Sequence, residues 1–215
     1  MIGGVIRLCG AFGGNSKDGD ADYYDGRESI ANTQIHEGIV APFFRGVRAD
    51  ASGHKNYPVG VGALAKRVAP KWRRRIEKIL HNQGYNDGAC FYASIHSCLV
   101  WQMWHEAFPT AQWIIVRRND EDIVRACMKS GFMSANTTAE QWKEMLDTYK
   151  TRFSEMITSG LDVWQIWPQR MIRGELRELQ EMITARGLNW DEVTVEDYIA
   201  PIMWKSGHYE VKQNV

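Results

Sequence analysis

The sequence predicts an α/β fold: a three-layer α/β/α sandwich with a mainly parallel sheet. Three observations lead to it. Trp113-Ile114-Ile115-Val116 is a compact apolar run with β-branched residues, the form of a central strand covered on both faces of a parallel sheet. Stretches of helical periodicity alternate with such runs along the second half of the chain, and strands separated by helices argue for parallel pairing. The chain has 215 residues, of which 44% are hydrophobic and 24% charged. That length and balance support one domain with a full core, spanning residues 1–215.

In chain order, the glycine- and acid-rich stretch from Gly10 to Asp22 reads as a long loop. From about Arg27 to Phe44, Ile30, Ile35, Ile39, Val40 and Phe43 recur at helical spacing. Gly46, Gly53 and Pro58 break the pattern. A helix follows from about Gly62 to Gln83 with Lys66, Arg67, Lys71, Arg73, Arg74, Arg75 and Lys78 on it. Such a cluster reads first as a solvated face, and second as a local patch that steers anions. Cys90-Phe91-Tyr92 reads as a short buried strand. Ile95 to Phe108 reads as a helix whose apolar stripe is Leu99, Val100, Met103, Trp104 and Ala107, ended by Pro109. After the Trp113–Val116 strand, Asp120 to Lys129 forms a helix with acids in its first turn and Lys129 at its end, both complementing the macrodipole. A helix from about Ala139 to Ile157, a strand at Asp162–Trp167 and a helix from Gly174 to Arg186 complete the alternation.

Composition removes several function classes. Lys and Arg number 26 against 26 Asp and Glu, so the footprint of a general nucleic-acid binder is missing. No apolar run approaches the roughly 20 residues of a membrane helix, and Met1-Ile2-Gly3-Gly4-Val5-Ile6-Arg7 has no basic region ahead of a long apolar one. Cys9, Cys90, Cys98 and Cys127 are too few and scattered for a disulfide framework. A soluble, reduced, cytoplasmic protein is expected, with no nucleic-acid or membrane partner. Nine tryptophans, six of them between Trp101 and Trp167, are read first as core packing.

In an open parallel sheet, ligands bind beyond the carboxyl ends of the strands. Arg117 and Arg118 take that place after the Trp113–Val116 run, and a helix begins within two residues. Two guanidiniums beside a helix N-terminus bring charge, fork geometry and free backbone N–H groups to one anion. The plainer alternative is a pair of surface arginines bonded to Asp120 or Glu121.

The segment from Trp104 to Arg125, Trp-His-Glu-Ala-Phe-Pro-Thr-Ala-Gln-Trp-Ile-Ile-Val-Arg-Arg-Asn-Asp-Glu-Asp-Ile-Val-Arg, resembles the sulfotransferase family, particularly its bacterial and phage-encoded members. Those proteins have a helix, an Ala-Phe-Pro…Ala…Trp turn, a buried strand, then Arg-Asn/Asp-Pro-x-Asp and a helix. Glu178-Leu179 through Gly187-Leu188-Asn189-Trp190 is similar to the family's later helix with its Gly-Leu-x-Trp turn. The likeness is good over about residues 85–130 and collinear elsewhere at low identity. It implies a sandwich of the P-loop nucleoside-triphosphate hydrolase type and an enzyme that moves a sulfuryl group from 3′-phosphoadenosine 5′-phosphosulfate to a hydroxyl or amine of a small-molecule or glycan acceptor, without a metal. Arg118 would contact the 3′-phosphate, within a nucleotide-binding set of Arg117, Arg118, Asn119, Arg125 and Ala126. Two positions depart from the pattern. Ala126 stands where a helix hydroxyl is usual, and Asp120 where proline is common. Losing the hydroxyl removes one neutral hydrogen bond, about 0.5–1.5 kcal/mol, which Arg125 and Ser130 can offset.

The family opens with an apolar strand and a Gly/Arg/Ser/Thr loop around the 5′-phosphosulfate. Met1 to Asn15 resembles the helix and Gly-rich turn that follow that loop, so the strand and loop are expected upstream of Met1. Without them, self-association through an incomplete sheet is expected. The competing reading makes Val5–Cys9 a strand and Gly10 to Lys17 a degenerate P-loop. It fails because Lys17 follows the serine, and Asp18-Gly19-Asp20 is a poor helix start. The second function, from a different class, is a nonenzymatic nucleotide- or partner-binding domain on the same fold.

Other constellations are weaker. Asp18, Asp20 and Asp22 lack the glycine and terminal glutamate of a calcium loop. Cys90, His96, Cys98 and His105 lack the paired spacings of a zinc site. The catalytic base stays open among His36, Glu37, Glu28 and His54.

Overall fold

A computed structural model describes residues 1–15, 32–129 and 136–205. Among these residues the fold is mixed helix and strand, built on one pair of parallel strands. Helix α1 (Ile2–Leu8) opens the chain, so Val5–Cys9 is helical rather than a strand. Gly10 and Gly14, at φ 103° and 69°, turn the chain out of it through conformations that side chains disfavour. Helical turns α2 (Thr33–Ile35), a π segment (His36–Val40) and α3 (Ala41–Gly46) run on continuously, with the Asn32 side chain accepting from the Ile35 N–H at the start. The stretch expected from Arg27 is thus helical from Thr33; residues 27–31 lie outside the described ones.

Helix α4 (Val61–Asn82) matches its expected span because the apolar residues Val61, Ala65, Ala69, Trp72, Ile76 and Leu80 fall on one buried face. Pro70 sits on its exposed side. A 3₁₀ turn (Ile95–Val100) then leads into α5 (Trp101–Ala107), which packs along α4. The expected single helix over Ile95–Phe108 is therefore divided. Ser94 starts the tighter turn by accepting from the His96 N–H at 3.1 Å.

Strand β1 (Trp113–Val116) pairs in parallel with β2 (Val163–Ile166), Trp113 beside Val163 and Val116 beside Ile166. Between them come α6 (Asp120–Lys129) and α7 (Ala139–Thr158), the latter opened by a reciprocal capping box between Thr138 and Gln141. Helices α8 (Pro168–Ile172), α9 (Arg177–Thr184) and α10 (Glu192–Lys205) complete the described residues.

Strand alternation distributes the sheet between two cores. Trp113 and Val163 join the larger one, made by the π segment, α3, α4, the 3₁₀ turn, α5 and α7. Ile114, Trp164 and Ile166 join a second one, made by α1, α8, α9 and α10. The Cys90–Tyr92 segment runs between the same two cores, since Phe91 packs with the second and Tyr92 with the first. It is not a buried strand, however. It forms a single parallel bridge from Cys90 to Phe12, and Cys90 is exposed. Each face of β1 meets a core, as expected, but the expectation that it is a central strand needs correction. Ile115 is buried, but Val116 is 47% exposed, and among the described residues β1 is paired on one side alone. An apolar run does not reveal which of its ends emerges from the layer. Replacing Ile115 with alanine should cost about 2–5 kcal/mol as a core truncation. Denaturant unfolding checks this, and a change below about 0.5 kcal/mol would place the residue at a surface.

Candidate anion-binding site

The carboxyl end of β1 is where the sequence places an anion, and the backbone there is well defined. The Arg117 N–H continues the ladder by donating to the Ile166 carbonyl at 2.7 Å. The chain then turns through Arg118 and Asn119 into α6. Asn119 is the helix cap: its Oδ1 accepts from the Glu121 N–H at 2.9 Å and the Asp122 N–H at 3.4 Å.

The two arginines diverge. Arg117 is half-buried; its Nε and Nη2 donate to Gln165 Oε1 at 3.0 and 2.8 Å, and its guanidinium lies 4.8 Å from the centre of the Phe153 ring. Burial lowers its pKa, opposed by nearby Asp120, yet a guanidinium remains charged at any physiological pH. Arg118 points elsewhere. It is exposed and has no hydrogen-bond or ion-pair partner among the described residues. Its charge reaches the Cys127 thiol on α6, where it opposes the upward push of burial on that thiol's pKa. Arg118 is therefore the cation left available to an outside anion.

The remaining residues of the set are less convergent. Arg125 is exposed and pairs with Asp122 at 3.2 Å on its own helix. Ala126 is exposed and offers no donor. The mouth of α6 does not present the free amides expected, because Asn119 already takes two of them and Asp120, Glu121 and Asp122 line the first turn. Lys150 of α7 partly neutralises this acid group, reaching Asp120 at 2.6 Å and Asp147 at 3.1 Å. The electrostatics favour an anion on the Arg118 side rather than along the helix axis. Ser130 lies outside the described residues, as do Glu28 and the Asp18–Asp22 acid loop.

A second grouping assembles from residues far apart in sequence. His36 and His96 rings lie 4.7 Å apart, His96 meets the Phe44 ring nearly at right angles at 5.6 Å, and His54 meets Trp142 at 5.5 Å. Burial lowers the pKa of His36 and His54, and it pushes His96 down to about 4, with the His36 and His54 charges adding to the effect. Sequence reasoning named His36 and His54 as candidate bases and weighed His96 only as a metal ligand, and it missed the Gln165 and Phe153 that engage Arg117. No spacing signal marks any of them.

Elsewhere the chemistry is sparse. Among the described residues, no group of three or more His, Cys, Asp or Glu is arranged to hold a metal ion. No helix among them is long and apolar enough to cross a membrane. The basic residues of α4 lie away from its buried face, and Arg73 is paired with Glu77 at 2.8 Å. A shallow depression beside α9 is occupied by its own ion pairs, Arg170–Glu178 at 3.1 Å and Arg177–Glu181 at 2.8 Å. Comparison with protein-family models, curated proteins and solved structures gave no match.

Proposed function

We propose that this domain binds 3′-phosphoadenosine 5′-phosphosulfate in the manner of a sulfotransferase and transfers its sulfuryl group to a hydroxyl or amine. The observation that carries the reading is Arg118: exposed, without a partner among the described residues, and set between the end of β1 and the start of α6. A phosphate there gains a charge-assisted, two-pronged contact. In the transfer, the bond from sulfur to the phosphate oxygen breaks as a bond from sulfur to the acceptor forms, and the acceptor's proton leaves to a base. Cationic groups lower the barrier by stabilising charge on the three equatorial oxygens, as in phosphoryl transfer. The placement of separate cores on the two faces of the β1–β2 pair is compatible with a three-layer, P-loop-type sandwich, and a cytoplasmic location belongs to the same reading.

A nonenzymatic binding domain is the second reading. The capped, carboxylate-rich mouth of α6 and the missing hydroxyl at Ala126 favour it. Calorimetry with 3′-phosphoadenosine 5′-phosphate tests the shared part. Arg118→Ala should weaken binding by about 1.5–3 kcal/mol, the range for a hydrogen bond to a charged group. Equal affinity in both proteins would remove Arg118 from the site, and absence of binding in both would overturn the nucleotide reading. Sulfuryl transfer from the phosphosulfate to a panel of hydroxyl and amine acceptors separates the enzyme from the binder.

A further inference from the structure

Residues 47–60 form a strap between α3 and α4, and its packing differs from that of the helices it joins. Few apolar side chains anchor it: Pro58 is buried, and Ala49, Ala51 and Tyr57 pack against the larger core only in part. Two of its residues hold backbone conformations that side chains disfavour, Arg48 at φ 58° and Asn56 at φ 46°. A knot around Asp50 keeps its turn, with the carboxylate accepting from the Ser52 N–H and hydroxyl and from the His54 and Lys55 N–H groups. At the centre of the turn, Gly53 at φ 73° is pressed between the Tyr149 hydroxyl of α7 and the His96 ring. Tyr149 donates to the Gly53 carbonyl at 3.0 Å. Where the strap meets the body of the protein, it therefore touches the histidines.

We propose that residues 47–60 are an acid-released latch, which protonation of the His36–His54–His96 cluster detaches from α7. Burial sets the closed state against a charged His96. Its Nδ1 is bonded to the Ser94 hydroxyl at 3.1 Å, and its Nε2 is buried without a hydrogen-bond partner. A charge on His36 would face the His96 ring at 4.7 Å, and a charge on His54 would add to the repulsion that His96 meets.

Groups on every neighbouring element bear on this balance. Glu37 beside His36 favours its charged form and Arg45 of α3 opposes it. On the strap itself, Asp50 attracts the imidazoles, and the Ser52 carbonyl lies close enough to favour a charged His96. Burial outweighs these attractions, and the Asp50 oxygens accept from the strap's own N–H groups. From α7, Tyr149 is neutral at these pH values, its pKa raised by burial. The sign follows from linkage. His96 binds its proton at about 4 when closed and near 6.5 when open, so the open form binds more protons between those values. Closure is complete above about pH 6.5 and weakens as pH falls towards 4. Opening bares the α7 face that carries Tyr149, which Gly53 and Tyr57 cover in the closed state.

Hydrogen exchange with NMR at pH 7 and pH 5 tests the latch on the full chain. Protection factors within residues 47–60 should fall by about tenfold or more at pH 5, while α4 and α5 keep theirs. His96→Gln should make that fall smaller, because only His36 and His54 then remain to be charged, and His36→Asn should move the His96 titration upward. Unchanged protection of the strap in the natural protein would overturn the latch, as would an equal fall in His96→Gln. If His96→Gln does not fold, the ring-proton titrations of the natural protein decide. Strap amides must shift with the histidine midpoints, and shifts that follow any other midpoint sink the proposal.

Discussion

Replacing Trp72 with alanine should lower the free energy of unfolding by about 3–5 kcal/mol, the range for removing a large aromatic from a core. The site is among the least forgiving in the molecule. Trp72 is 4% exposed on the buried face of α4 and meets two rings edge-on, Phe43 at 5.3 Å and Trp104 at 5.6 Å. Trp104 in turn stacks on Tyr92 at 4.8 Å and lies against Phe108 at 6.3 Å. An alanine there leaves a cavity bounded by rigid rings on two helices, which have little freedom to collapse into it. Each edge-to-face contact adds about 0.5–1.5 kcal/mol beyond the area buried. Denaturant unfolding followed by far-ultraviolet circular dichroism measures the effect. Trp72→Phe, which keeps one ring in the space, should recover more than half of it; a loss below about 1 kcal/mol in the alanine variant would mean that α4 and α5 do not share a cooperative core.

This aromatic spine was legible as packing, because Trp72, Trp104 and the apolar positions around them recur at helical spacing. So was α6, whose acids and terminal lysine mark both ends. The 3₁₀ turn before α5 was not, since Leu99 and Val100 suit either helix and Ser94 decides the tighter winding by capping it. Cys90-Phe91-Tyr92 has the composition of a strand, yet only one bridge forms, to Phe12. Hydrophobicity reports that a segment is near the core, not how many hydrogen-bonded neighbours it finds. The divergence of Arg117 and Arg118 was readable in principle: consecutive residues leaving a strand point to opposite sides. What no pattern could supply were the partners that occupy Arg117. Gln165 lies 48 residues away and Phe153 on a different helix. The histidine cluster is hidden for the same reason, since a π segment, a strap and a 3₁₀ turn meet only after the fold forms.

Replacing Trp142 with alanine should cost about 3–5 kcal/mol as well, but the loss should be confined to one corner. Trp142 is 1% exposed and forms a small separate cluster with Val124 of α6 and Leu146 of α7. Val124 is the only fully buried residue that α6 contributes. Beyond it, α6 is tied to α7 by partly buried Ile123 and Cys127 and by the exposed Lys150–Asp120 pair, which is worth at most about 1 kcal/mol. Helix α7 has a second anchorage, because Tyr149 and Met156 lie in the larger core. Removing the indole should therefore free α6 while α7, α4 and α5 stay folded. The Asn119 cap and Arg118 stand at the start of α6 and should lose their position with it. Hydrogen exchange should show protection lost across 120–129 and retained across 61–82. Affinity for 3′-phosphoadenosine 5′-phosphate should fall in parallel, although Trp142 is no part of the anion site. Protection lost evenly along the chain would make α6 part of the main cooperative unit. Protection lost from α6 with unchanged affinity would mean that the end of β1 alone positions Arg118, and that the helix after it contributes nothing to holding the anion.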